Sequence, residues 1–124
     1  MGRNLAVFAV LLTACAHTDQ QQALSALQLA DRTTRALHST LIRVDESRMR
    51  EIANTAISVR DAEARRAIHE RTVLPAYQAI TACYVAIATA SAAIAAGQSA
   101  DLADVARVVD SMRAAVRDAG VFYE

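Results

Sequence analysis

Apolar residues recur every three or four positions through most of this chain, with polar residues between them. Between positions 23 and 74 they fall at Leu24, Leu27, Leu37, Leu41, Val44, Ile52, Val59 and Ile68. That period gathers them on one face of an α-helix. Asp31–Arg35, Glu46–Arg50 and Asp61–Arg65 each set an acid four residues before an arginine, the spacing at which side chains meet one helical turn apart. No glycine or proline interrupts this stretch, so it reads first as one long helix, straight or bent, with two helices as the alternative. The two places where it could break are Asp45-Glu46-Ser47 and Ser58-Val59-Arg60-Asp61, the second resembling a capping box with Asp for Glu. Pro75, the single proline, either opens a helix in its first turn or kinks a continuing one.

Tyr77, Ile80, Tyr84, Ile87, Ser91 and Ile94 carry the same spacing onward. Gly97 ends that helix, and Ser99 or Asp101 caps the next. Leu102, Val105, Val109, Met112 and Val116 form the last stripe, which Gly120 closes, and Val121, Phe122 and Tyr123 are expected to fold back on the bundle end. The fold class is all-α: an antiparallel helical bundle, or a long helical hairpin, of three or four helices. Composition agrees. Alanine is nearly a quarter of the chain, against three Gly and one Pro.

The first fifteen residues follow a different pattern. Arg3 precedes an apolar run from Leu5 to Leu12, and Leu12-Thr13-Ala14-Cys15 follows. A basic start, a short apolar stretch and a small residue before the cut describe an export signal. About 13 largely apolar residues are too few for a retained membrane span, which needs roughly 20. Leu12-Thr13-Ala14-Cys15 resembles the lipobox of bacterial lipoproteins. The resemblance implies that Cys15 receives a diacylglycerol and, after cleavage, becomes the acylated first residue, with two or three chains of the palmitate class. It divides the chain into a signal peptide (1–14), a lipidated cysteine with a short tether (15–22) and a helical domain (23–124). An extended tether of that length reaches at most about 25 Å. Ala16 follows the cysteine where lipoproteins retained in the inner membrane carry Asp. By resemblance the address is the outer membrane, facing the periplasm, with the inner membrane and the cell surface as the other destinations.

Charge removes one class of partner. Thirteen acids balance thirteen arginines, and there is no lysine. Nothing in that balance favours nucleic acid. The arginines show no clustering along the sequence that would mark a binding surface, although Arg43 to Arg71 is densely charged. The 29 residues from Thr72 to Ala100 then carry no charge at all. They are long enough to span a bilayer. Their many Ala, Thr and Ser, with Gln78, fit the central, most buried helix of a soluble bundle better than a membrane segment. Cys83 lies beside that helix's apolar stripe and is expected to be a buried, inert thiol.

Chemistry is sparse. His17, His38 and His69 never stand three or four apart, so no pair has metal-ligand spacing, and each is expected to be exposed or satisfied by a neighbour. No carboxylate pair, phosphate-binding loop, nucleophile elbow or redox cysteine pair is present. No catalytic, metal or cofactor residue is assigned. Cys15, as a lipidation site, is the one functional residue. Tyr77 and Tyr84, seven apart, read as boundary packing, with an apolar ligand groove as the alternative.

The expected function is non-enzymatic: a small lipid-anchored, periplasm-facing protein acting by contacts with a protein partner or with itself, through the Arg43–Arg71 segment. The alternatives are an outer-membrane lysis accessory resembling the spanin lipoproteins of phages, a helical module holding a small apolar ligand, and a membrane-inserting helix at 72–100.

Overall fold

A computed structural model describes the backbone of residues 2–121 and the side chains of residues 19–120. Three helices follow in order: α1 (Gly2–Thr55), α2 (Val59–Ala95) and α3 (Leu102–Val121). No strand occurs among the described residues. The all-α bundle is what the spacing predicts, and it has three helices.

The seams explain the assembly. In α2 the buried residues are His69, Val73, Ala76, Ile80, Cys83, Ile87, Ala90 and Ile94, alternating steps of four and three. In α3 they are Val105, Val109, Met112, Val116 and Ala119. A repeat averaging 3.5 residues keeps one narrow seam turned toward its neighbours along the whole helix. Leu27, Ala30, Thr34, Leu41 and Ile52 supply the seam of α1. Three-residue and six-residue connections make α2 antiparallel to both other helices, so α1 and α3 run in the same direction.

Two sequence expectations change, and Pro75 takes the second of its two expected placements. The stretch from 23 to 74 is two helices, broken at Ala56-Ile57-Ser58. Ser58 is extended, and its Oγ accepts from the Asp61 N–H at 3.0 Å. The Asp61 carboxylate reaches back one residue beyond the usual box, to the Ile57 N–H at 3.1 Å. Together they satisfy two amide donors, and that stops α1 without Gly or Pro. Pro75 then sits inside α2, which continues past it. The buried stripe of α2 keeps the expected Ile80, Ile87 and Ile94, but its alternate positions fall at Ala76, Cys83 and Ala90: Ser91 is exposed, while Tyr77 and Tyr84 flank the seam.

At the other end of α2, Gly97 adopts φ +72°. Its N–H bonds the Ile94 carbonyl, and the Gln98 N–H bonds that of Ala93 at 2.8 Å. This is a Schellman ending, which needs the left-handed region that glycine tolerates. Asp101, rather than Ser99, caps α3 by accepting from the Asp104 N–H at 2.9 Å. Gly120 lies within α3 instead of closing it. The folding back of Phe122 and Tyr123 concerns residues outside those described.

Candidate functional site

Cys15, the residue assigned from the sequence, lies on the backbone of α1, outside the described side chains. Residues 16–22, expected as a tether, are helical. They rise only about 1.5 Å per residue rather than stretching. Asp19, Gln20 and Ala23 share a groove with Ile94 and the Gly97–Ala100 connection. The Cys15 end of α1 and the α2–α3 connection therefore lie at the same end of the bundle.

At the opposite end, the close of α1 and the start of α2 form a hairpin that carries much of the Arg43–Arg71 segment. Arg48 pairs with Glu51 at 2.7 Å and Arg65 with Asp61 at 3.8 Å, and Arg65 also donates to the Thr55 hydroxyl at 2.9 Å. Of the pairs expected from spacing, Asp31–Arg35 closes at 2.8 Å, whereas Glu46–Arg50 is not among the ion pairs formed. Ile57 (91% exposed) and Val59 stand out from the connection.

Between these ends the helices enclose a polar cluster. His69 is 1% exposed, and its Nε2 lies 2.6 Å from Asp45 Oδ1. Tyr77 donates its hydroxyl to Asp45 Oδ2 at 2.9 Å. One carboxylate of α1 thus ties two side chains of α2 that lie two turns apart. Burial first, then the bond to Asp45, pushes the Tyr77 hydroxyl up to about 12. His38 packs edge-on against Tyr77 and Tyr84, whose hydroxyl approaches its Nδ1 at 3.4 Å. Below Asp45 and Tyr77 opens a cavity of about 690 Å³, also lined by Met49, Val73 and Leu74. Cys83 is fully buried, its thiol donating to the Val108 carbonyl at 3.3 Å. Burial raises the thiol's pKa, and a bond with Thr34 partly offsets this. Cys83 is thus held by α1 and α3 together.

His69, on the α2 seam, and His38, half-buried beside the α1 seam, are both engaged by neighbours. Asp45 is the residue that sequence reasoning missed as a partner. One signal pointed to it: His69 stands four residues before Val73, on the α2 seam, and a histidine there needs an acceptor from across the interface. Among the described residues, no three His, Cys, Asp or Glu side chains converge as a metal site would require.

Helix α2 is also long and apolar enough to cross a membrane by length and composition. Only 28% of its most apolar window is buried in the bundle. It packs against both other helices, but only along one face; the other, including Val85 at 60% exposure, is open and uncharged from Thr72 onward.

No known protein family, no curated protein and no solved structure matches this chain.

Proposed function

We propose that this chain is a bacterial lipoprotein, acylated at Cys15, that holds a small non-enzymatic helical bundle against the periplasmic face of the outer membrane. There it acts by contact with protein partners. The observation that carries the reading is Leu12-Thr13-Ala14-Cys15 directly behind the Arg3 and Leu5–Leu12 export pattern. The bundle's polarity supports it. The Cys15 end of α1 is a short helical stalk, and the charged α1–α2 hairpin lies at the far end, clear of a membrane beneath the stalk. Two or more acyl chains give stable anchoring, where one gives only marginal binding.

The test is to express the full-length chain and Cys15→Ser in a Gram-negative host, fractionate the envelope and weigh the mature N-terminus. A mature chain beginning at an acylated Cys15, released to the soluble periplasm by the substitution, is the expected outcome. An unmodified Cys15, or a variant still embedded in membrane, overturns the reading.

A second reading has its own observation. The open, uncharged face and membrane-compatible length of α2 suit a segment that leaves the bundle and inserts into the bilayer.

A further inference from the structure

The arginines that look scattered in the sequence converge in the fold. Arg43 and Arg48 of α1 and Arg113 and Arg117 of α3 line one groove between the two parallel helices, at the end away from Cys15. Glu51 is the sole acid among its lining residues. Counting Asp110 in the depression that adjoins it, four guanidiniums stand against two lining carboxylates, still a local excess in a chain whose total charge is zero. The groove holds about 780 Å³, and its floor is apolar: Val116 is buried, Leu37 and Val44 half-buried. At Arg113 it joins a smaller depression of about 220 Å³ reaching toward the start of α3, where Leu29 is 64% exposed. From Leu29 to Glu51 this path is about 33 Å long, at 1.5 Å per residue.

We infer that this α1–α3 groove is the docking site for an acidic amphipathic helix of another protein, which completes the bundle as a fourth helix. The apolar floor receives its seam, and the arginines along both rims meet carboxylates on its flanks. Arg43, Arg113 and Arg117 have only weak engagements within the chain, whereas Arg48 is tightly paired with Glu51. Arg113 and Arg117 reach Asp110 and Asp118 at 3.6 and 3.7 Å, both in exposed pairs that water screens. Arg43 donates to the Ser39 carbonyl at 3.5 Å, and Arg48 keeps its pair with Glu51. A bilayer fits the groove poorly, because it is a concave trough along the bundle axis. A second copy joined through the same groove sets arginine against arginine, which costs energy. An acidic helix meets neither obstacle.

This inference rests on the proposed function only for the partner's being a protein met in the envelope. Peptide binding to the groove does not involve Cys15, so the two readings fail separately. The experiment uses the full-length protein in detergent and two fluorescent synthetic peptides of 22 residues. Both have Leu at 3-4 spacing; one carries Glu along its flanks and the other Lys at the same positions. The Glu peptide should bind at least about tenfold tighter than the Lys peptide, and less tightly as salt rises. Arg113→Glu with Arg117→Glu should invert that preference. Leu29→Arg, at an exposed position, should weaken binding while the circular dichroism stays unchanged.

Failure of both peptides to bind, equal binding, or a preference unmoved by the double substitution overturns the inference. Two other results overturn it as well. One is wild-type binding to phosphatidylglycerol vesicles that the double substitution abolishes, which assigns the rim to lipid. The other is self-association in sedimentation that the same substitution dissolves, which assigns the groove to a second copy.

Discussion

Asp45 makes two side-chain bonds across the α1–α2 interface. Its two oxygens hold His69, which is nearly fully buried, and the hydroxyl of Tyr77. A buried polar group that loses its partner costs about 1–3 kcal/mol. Asp45→Ala should therefore destabilise the bundle by about 2 kcal/mol, seen as a lower Tm in thermal unfolding followed by circular dichroism, and Tyr77→Phe by about 1 kcal/mol. Alkaline pH should act through the same contact. The folded Tyr77 hydroxyl titrates near 12, above the usual value of about 10, so the fold favours its neutral form. That stabilisation is fully present below pH 10 and is lost as pH rises toward 12. Absorbance at 295 nm should show one tyrosine ionising late in the wild type, and Tyr77→Phe should remove that late step. Little of this was legible in the sequence. Asp45 looked like a helix break and His69 like an isolated ring, because 24 residues separate them and only the packing of α1 on α2 joins them.

At the scale of elements, periodicity revealed the helices and their inward faces, and the Schellman ending at Gly97 followed from residue type alone. The end of α1 was harder to read. Ser58 and Asp61 stop it through two hydrogen bonds, a signal much weaker in sequence than Gly or Pro. Ser58→Ala should cost about 1 kcal/mol. Gly97→Ala should cost about 1 kcal/mol for its positive φ alone, since a Cβ there meets no neighbouring atom within 4 Å. Urea unfolding of each variant measures both; a neutral Gly97→Ala would show that the turn relaxes out of the left-handed region. In α2 the positions between Ile80, Ile87 and Ile94 fall at Ala76, Cys83 and Ala90, because Tyr77 and Tyr84 pack at the seam's edge, where their hydroxyls reach polar partners.

Across the whole molecule, the exposed, uncharged face of α2 is the surface that water and a bilayer would treat differently. In a soluble bundle Val85 points to water, so Val85→Arg should change stability by no more than about 0.5 kcal/mol. If α2 spans a bilayer, the same arginine near its middle costs roughly 2.5–3.5 kcal/mol of insertion. Alkaline carbonate extraction of membranes carrying Cys15→Ser with and without Val85→Arg separates the two, and we expect both variants to be fully extracted. The arginine-rimmed groove belongs to this scale too. Arg43 and Arg113 are 70 positions apart, so no local pattern marks them; their meeting follows from α1 and α3 running side by side in one direction.

If Cys15 is acylated as proposed, the unbroken course of α1 through that position would set a distance from the membrane as well as a fold. From Cys15 to Thr55 the helix rises about 60 Å, at 1.5 Å per residue. Under the proposed acylation, that helix would act as a ruler, fixing how high above the bilayer its far tip could be met. Each residue inserted between 16 and 22 would lift the groove by about 1.5 Å and swing it about 100° around the axis, as a helix of 3.6 residues per turn dictates. A partner fixed to the opposing wall would find its seat moved in both height and bearing, whereas a slack cord of equal length would absorb the change.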